Sequence, residues 1–327
     1  MPAGSGKSAP RRVLLGCWPT PLQELPRLSR LLGGGRRLFV KRDDLAGAAF
    51  GGNKVRKLEY LLGEALESGC DCVVTGGGPR SNQPLAAAAC AARLGLEAHL
   101  VHAGRDESIS ARLAGLFGAV DHFPEEGAGG SADLGRLVRQ TAKALRAQGR
   151  KPYVIPPGAP GALGALGYAD CMRETAAQAE GLGIRIGHVL CCGATGGTYA
   201  GIVLGTKLYC PGAKAVCCAI ARRFSHRATL LKTARQAAEA AGLTADLSED
   251  DFTVHFSCGR GAAHQTGAGR AALLCMAREE GILLDPYYTG KAFAGLLELN
   301  EQGAFAPGEC IVFVHTGGAS ALLNSLF

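Results

Sequence analysis

The chain has 327 residues, 47% hydrophobic and 19% charged, with 48 glycines and a formal net charge of +7. That length and apolar share support a large buried core, in two domains or one large α/β unit, and exclude a disordered chain. The basic residues are dispersed in short pairs such as Arg11-Arg12, Arg36-Arg37 and Lys41-Arg42, with no aromatic-basic stripe beside them, which argues against nucleic acid as a partner.

Thirteen cysteines could suggest a disulfide scaffold. Several, however, sit inside apolar runs, as in Cys191-Cys192 and Cys217-Cys218, and read as small buried hydrophobes. No CxxC pair occurs, so no metal site is expected. With no secretory signal and no apolar run of about 18 residues, a reducing, cytoplasmic location without a membrane partner is the expectation.

Residues 1–15 open with small polar residues and are expected to be a disordered N-terminus. Gly6-Lys7-Ser8 hints at a phosphate loop, but the earlier glycine that motif needs would fall on Met1. Arg37 to Lys41 reads as a strand, followed by the loop Phe50-Gly51-Gly52-Asn53 and a helix whose Leu58, Leu61, Leu62 and Leu66 recur at helical spacing. A strand from Cys72 to Thr75, a turn from Gly76 to Pro79 and an Ala-rich helix from Ser81 to Leu94 come next, then a strand from Glu97 to His102. The polar stretch from Glu125 to Asp133 precedes an amphipathic helix through Leu145 and a strand from Pro152 to Ile155. A helix through Tyr168 to Glu180, a strand from His188 to Cys192, another helix, and strands from Ala215 to Ala221 and Cys310 to His315 follow. Continuously apolar strands alternating with helices predict parallel sheets covered on both faces, a doubly wound α/β protein.

Three Gly-rich loops carry the chemistry. Lys54 follows Gly51-Gly52-Asn53 at the start of a helix; alone, that placement suits a solvated lysine on a capped helix better than a buried amine used as a nucleophile. Gly193-Ala194-Thr195-Gly196-Gly197-Thr198 joins an apolar strand to a helix. A plain turn needs one glycine, so three glycines with two threonines favour a phosphate cradle, without the spacing of a dinucleotide fold. Gly76-Gly77-Gly78-Pro79-Arg80-Ser81-Asn82-Gln83 serves equally as an N-capped helix start at Ser81 or as a carboxylate pocket. His188 and His315 at strand ends read as hydrogen-bonded core residues, and Asp43-Asp44 as organisers of the Lys54 loop.

Taken in order, KRDDLAGAAFGGNKVRKLEYLLGEAL, GGGPRSNQ, GATGGTYAG, LLDPYYTGKAFAGL and HTGGASAL resemble the signature segments of the D-cysteine desulfhydrase and 1-aminocyclopropane-1-carboxylate deaminase family. The resemblance runs from about Trp18 to the C-terminus. It implies pyridoxal-phosphate fold type II, two three-layer α/β/α domains with mostly parallel twisted sheets. The large cofactor domain would comprise residues 16–56 and 167–327, the small inserted domain 57–166, and the assembly a homodimer.

The resemblance also implies roles. Lys54 would carry pyridoxal 5'-phosphate as a Schiff base and take the α-proton of the substrate. Asn53 and Asn82 would lie near the ring, Thr195, Gly196, Gly197 and Thr198 at the phosphate, and Thr289 and Thr316 near the pyridine nitrogen. Ser81, Asn82, Gln83 and Tyr288 would meet the substrate, Ser81 and Tyr288 with catalytic roles. Hydroxyls rather than a carboxylate at Thr289 and Thr316 make the ring a weaker electron sink, which suits β-elimination from D-cysteine to pyruvate, hydrogen sulfide and ammonia. The alternatives are 1-aminocyclopropane-1-carboxylate deaminase, a related lyase or β-replacement enzyme with another leaving group, and a non-catalytic cofactor-binding protein. Pro84, Leu85 and Ala262 depart from the family's pattern and leave the leaving group open.

Overall fold

A computed structural model describes residues 9–124, 133–221, 224, 226–257, 259–261 and 263–326. Strand β1 (Leu22–Glu24), helix α1 (Pro26–Leu32) and strand β2 (Arg37–Lys41) precede helix α2 (Asn53–Glu67). Next come β3 (Cys72–Gly76), α3 (Gln83–Arg93), β4 (Glu97–Val101), α4 (Ile109–Leu116), β5 (Val120–His122), α5 (Leu134–Ala147) and β6 (Pro152–Val154). The long α6 (Ala162–Gly181) leads to β7 (Ile186–Gly193), α7 (Gly197–Tyr209), β8 (Lys214–Ala219), α8 (Arg227–Ala240) and β9 (Thr253–Phe256). Helices α9 (Gly267–Glu280) and α10 (Thr289–Glu301), strand β10 (Cys310–Val314) and α11 (Ala319–Leu326) follow.

The strands form two sheets. The larger runs β1-β2-β10-β7-β8-β9 and the smaller β5-β4-β3-β6. Every pairing is parallel except β1 with β2. The period-two alternation of strand side chains makes both sheets two-faced. In the larger, Val189 and Cys191 face α6, α7 and α8, while Leu190 and Cys192 face the apolar sides of α1, α9 and α10. In the smaller, Val73 packs with α2 and α3, whereas Cys72 and Val74 meet Leu134, Val138 and Ala142 of α5. These are the three-layer sandwiches expected of apolar parallel strands.

Small residues set the closest approach, between α6 and α7. A Cβ on Gly201 would lie 2.1 Å from the Ala165 carbonyl oxygen, so only glycine permits that backbone contact.

Two expectations are corrected here. The run before Gly16 is tied down as far back as Arg12, which meets Glu59 at 2.6 Å and Asp170 at 2.9 Å. The Leu15 N–H donates to Glu59 at 2.8 Å and its side chain is buried. Apolar Leu15 and the buried Glu59 need each other, so disorder through residue 15 does not hold for Arg12 to Leu15; residues 1–8 lie outside the described residues. Helix α3 begins at Gln83, not Ser81, with Asn82 as its N-cap and Pro84 in the first turn, where a missing N–H costs little. The polar stretch before α5 and Ala262 fall largely or wholly outside the described residues.

Candidate active site

Lys54 stands in the first turn of α2 because its loop is stitched on both sides. Gly51 (φ 64°) and Gly52 (φ 93°) take the left-handed conformations that glycine tolerates. A Cβ on Gly52 would fall 2.9 Å from the Thr316 carbonyl oxygen, the same oxygen that accepts from the Asn53 N–H at 3.0 Å. On the other side the Asp43 carbonyl accepts from the Gly52 N–H at 2.7 Å. The buried Asp43 carboxylate is held by Arg56 at 2.7 and 2.8 Å, by Tyr168 at 2.8 Å and by Thr20 at 2.8 Å. Asp43 therefore organises the lysine loop. Burial strips water from the Lys54 ammonium and lowers its pKa from 10.5 to about 8.

The glycine-threonine loop leaves the end of β7 and enters α7 through Gly196, left-handed at φ 87°. At Gly197, the first residue of α7, a Cβ would stand 3.2 Å from Lys57 Nζ and 3.3 Å from Pro160 Cα. Lys57 Nζ donates to the carbonyls of Gly158 (3.2 Å) and Ala159 (3.4 Å). Burial, with Lys54 as a second cause, holds its pKa well below the usual lysine value. A helix N-terminus, a glycine wall and an amine without a carboxylate partner among the described ion pairs form a cradle for an anion. Asn53 Nδ2 donates to Thr198 Oγ1 at 3.0 Å and so locks the lysine loop to the cradle.

One pocket gathers most of the residues expected from the sequence: Asn53, Lys54, Ser81, Asn82, Thr195, Gly196, Thr198, Tyr288 and Thr316. Gly197 adjoins it at the start of α7. Asn82 is fixed from behind by Ser320, whose hydroxyl donates to Oδ1 at 2.6 Å. Burial, with the nearby Asp285 and Cys192, raises the Tyr288 phenol well above its ordinary pKa, so it is a neutral hydrogen-bond donor at pH 7. His188 and His315 do lie in the core: His188 bonds Glu309, and His315 meets the Leu283 carbonyl at 2.9 Å.

Besides Gly197, two expected residues do not line the pocket, and both turn away from it. Gln83 is one helical position past Asn82, and that rotation turns its amide into the small sheet, onto Thr75 at 3.1 Å and the Pro156 carbonyl at 3.4 Å. Thr289 is buried at the start of α10, where its hydroxyl donates to Asp285 at 2.7 Å and accepts from the Asp285 N–H at 2.9 Å. Asp285 needs that donor, because its carboxylate is buried and burial raises its pKa. The hydroxyl argument for the ring nitrogen therefore rests on Thr316 alone. Sequence reasoning passed over Lys57, although its spacing three residues after Lys54 places both amines on one helix face. It also passed over Gly317 and Cys192 on the pocket wall.

An amine poised to deprotonate, set opposite an anion cradle, is the donor set an aldehyde-phosphate cofactor requires. Comparison with known proteins agrees: the pyridoxal-phosphate-dependent enzyme family matches residues 13–317. The chain belongs to that family. This pyridoxal-phosphate enzyme is 38% identical over 315 residues to a Pyrococcus horikoshii protein named as a candidate 1-aminocyclopropane-1-carboxylate deaminase, covering 96% of this chain and 93% of the relative. It is 39% identical over 319 residues to the D-cysteine desulfhydrase of Yersinia pestis strain Pestoides F, covering 96% and 95%. A crystal structure of a deaminase homologue superposes with a TM-score of 0.86 at 37% identity, over 96% of this chain and 93% of the other. A fungal L-serine ammonia-lyase from Rhizomucor miehei superposes at 0.65 with 18% identity, over 97% of each, and shares the fold. The chain is thus a pyridoxal-phosphate-dependent enzyme of the deaminase and desulfhydrase group, with the type II fold. No helix among the described residues is long and apolar enough to cross a membrane.

Proposed function

We propose that the enzyme eliminates the β-substituent of a small D-amino acid, with D-cysteine converted to pyruvate, hydrogen sulfide and ammonia. The observation that carries this reading is the pocket wall: it bears Thr316, and no carboxylate is among the described residues that line it. Nothing on that wall holds a ring nitrogen protonated, so the site suits a reaction in which a good leaving group departs and asks less of the ring.

Pyridoxal phosphate, when bound, supplies an aldehyde that joins the substrate amine and a conjugated ring that takes up the electron pair of the Cα–H bond. The other contributions come from the chain. Lys54 Nζ would hold the cofactor and would receive the substrate α-proton; a pKa of about 8 lets that amine accept and release a proton near neutrality. Thr195 to Thr198 and Lys57 seat the phosphate. Ser81 and Asn82 hold the substrate carboxylate, and the neutral Tyr288 phenol donates a hydrogen bond beside the reacting carbons. A reducing compartment is part of the reading, supported by twelve described cysteines that are all unpaired. A homodimer is also part of it, as the resemblance implies.

The test supplies D-cysteine, 1-aminocyclopropane-1-carboxylate and other β-substituted alanines in parallel and measures sulfide, pyruvate and 2-oxobutyrate. Sulfide with equimolar pyruvate from D-cysteine is expected. If 2-oxobutyrate from the cyclopropane is the sole product, the deaminase takes its place.

A further inference from the structure

A second cavity adjoins the outer lip of the first, lined by Arg80, Arg105, Arg112, Tyr287 and Asn324 with the segment before α4. Adjacent residues bind the two together: Arg80 and Tyr287 line the outer cavity, while Ser81 and Tyr288 line the inner one. Helix α11 braces both. Ser320 bonds Asn82 in the inner pocket; one turn on, about 6 Å along the axis, Asn324 donates to the Pro79 carbonyl at 3.1 Å and accepts from the Ile109 N–H at 2.7 Å.

The charges at this lip do not balance. Arg105 is neutralised by Glu107 at 2.8 Å. Asp106 is engaged by His102 at 3.2 Å and by the Ser108 N–H at 3.0 Å. Arg80 and Arg112 form no ion pair among the described residues. Arg80 is steadied instead by the Tyr287 ring, its guanidinium carbon 4.8 Å from the centroid. Both arginines are exposed, so neither contributes to a core. Two uncompensated guanidinium groups on one concave surface repel each other, and a tetrahedral oxyanion is the ligand whose geometry their planar donor arrays match.

We propose that Arg80, with Arg112 in the same cavity, is a specificity residue that recognises a phosphate or sulfonate carried on the β-carbon of the substrate. Amino acids with such a substituent are then preferred over neutral ones, D-cysteine among the latter being turned over less efficiently. The inference rests on the β-elimination reading for its chemistry. The Cα–H bond breaks with its proton passing to Lys54 Nζ, its electron pair forms the Cα=Cβ bond, and the bond from Cβ to the oxyacid group breaks with its own pair leaving on that group. Water then completes the products as 2-oxo acid and ammonia.

The test uses the holoenzyme and separates recognition from turnover. Calorimetric titration compares D-2-amino-3-phosphonopropionate, whose C–P bond does not eliminate, with D-alanine. Tighter binding of the phosphonate by about tenfold or more is expected from a charge-assisted pair. Arg80→Gln should reduce that preference to about threefold or less, with Arg112→Gln giving a smaller loss. In parallel, the ratio of kcat/KM for O-phospho-D-serine to that for β-chloro-D-alanine should fall about tenfold in Arg80→Gln. A wild-type protein without the phosphonate preference, or one whose preference survives both substitutions, overturns the proposal. Preference without elimination from any substrate would instead overturn the reaction assigned above and leave the recognition standing.

Discussion

Replacing Lys54 by methionine removes the group proposed to attach the cofactor, yet the cofactor-free protein should become more stable. The Lys54 amine has a pKa of about 8 in the folded chain against an ordinary 10.5. A depressed lysine pKa means that the folded state binds the proton less well than the unfolded state does. Below pH 8 the amine is protonated in both states and the whole desolvation penalty is present. Between pH 8 and 10.5 only the unfolded state holds the proton, so stability rises with pH; above 10.5 the penalty is gone. At about 1.4 kcal/mol per pKa unit, the 2.5-unit difference sets an upper value of about 3 kcal/mol, reduced because the amine borders the open pocket. Methionine keeps a similar volume without the charge, and it also relieves Lys57, whose own low pKa owes part of its shift to Lys54. Urea denaturation of the two apoproteins at pH 7 and pH 10.5 measures the effect. The expected gain for Lys54→Met is about 2 kcal/mol at pH 7, closing towards zero at the higher pH. A variant no more stable than wild type at pH 7, or a gap indifferent to pH, would refute the argument that this amine is desolvated.

The same pKa governs cofactor attachment: its rate in the apoprotein should climb about tenfold from pH 6 to 7 and level off above pH 8, as the neutral amine becomes the major form. Stopped-flow absorbance follows it, and a rate still climbing past pH 9 would contradict the shift. Gly197→Ala places a methyl group 3.2 Å from Lys57 Nζ and should weaken cofactor affinity at least about tenfold without changing the far-UV circular dichroism spectrum. A cofactor titration checks this, and unchanged affinity would remove Gly197 from the cradle. Gly201→Ala drives a Cβ to 2.1 Å from the Ala165 carbonyl oxygen and should destabilise the fold by about 3 kcal/mol, because backbone at the α6–α7 contact has little room to yield. Thermal denaturation reports the loss.

Strong local signals were readable from the chain. Apolar runs of strand length and the glycines beside them located β3, β7, β8 and β10, because a strand buried on both faces tolerates few polar residues. The short edge strands β1, β5 and β9 were not assigned; Val120 and Phe256 are exposed, and these strands of three or four residues lack a continuous apolar signature. Around the site, Lys54, Ser81, Asn82 and Tyr288 were recognised by their motifs. Gln83 and Thr289 belong to those same motifs and face elsewhere, since membership of a motif does not fix the direction of a side chain.

Composition, periodicity and motif order determined an α/β protein with parallel sheets, a lysine at a glycine-rich helix start and a distant glycine-threonine turn for an anion. Those features are local, set by backbone freedom and apolar spacing within a few residues. Tertiary structure alone decided that Asn53 reaches Thr198 across 145 residues, that Lys57 stands against Gly197, and that Thr289 serves Asp285. Each depends on how helices rotate and sheets pack, a long-range balance of burial and hydrogen bonding that no single segment encodes.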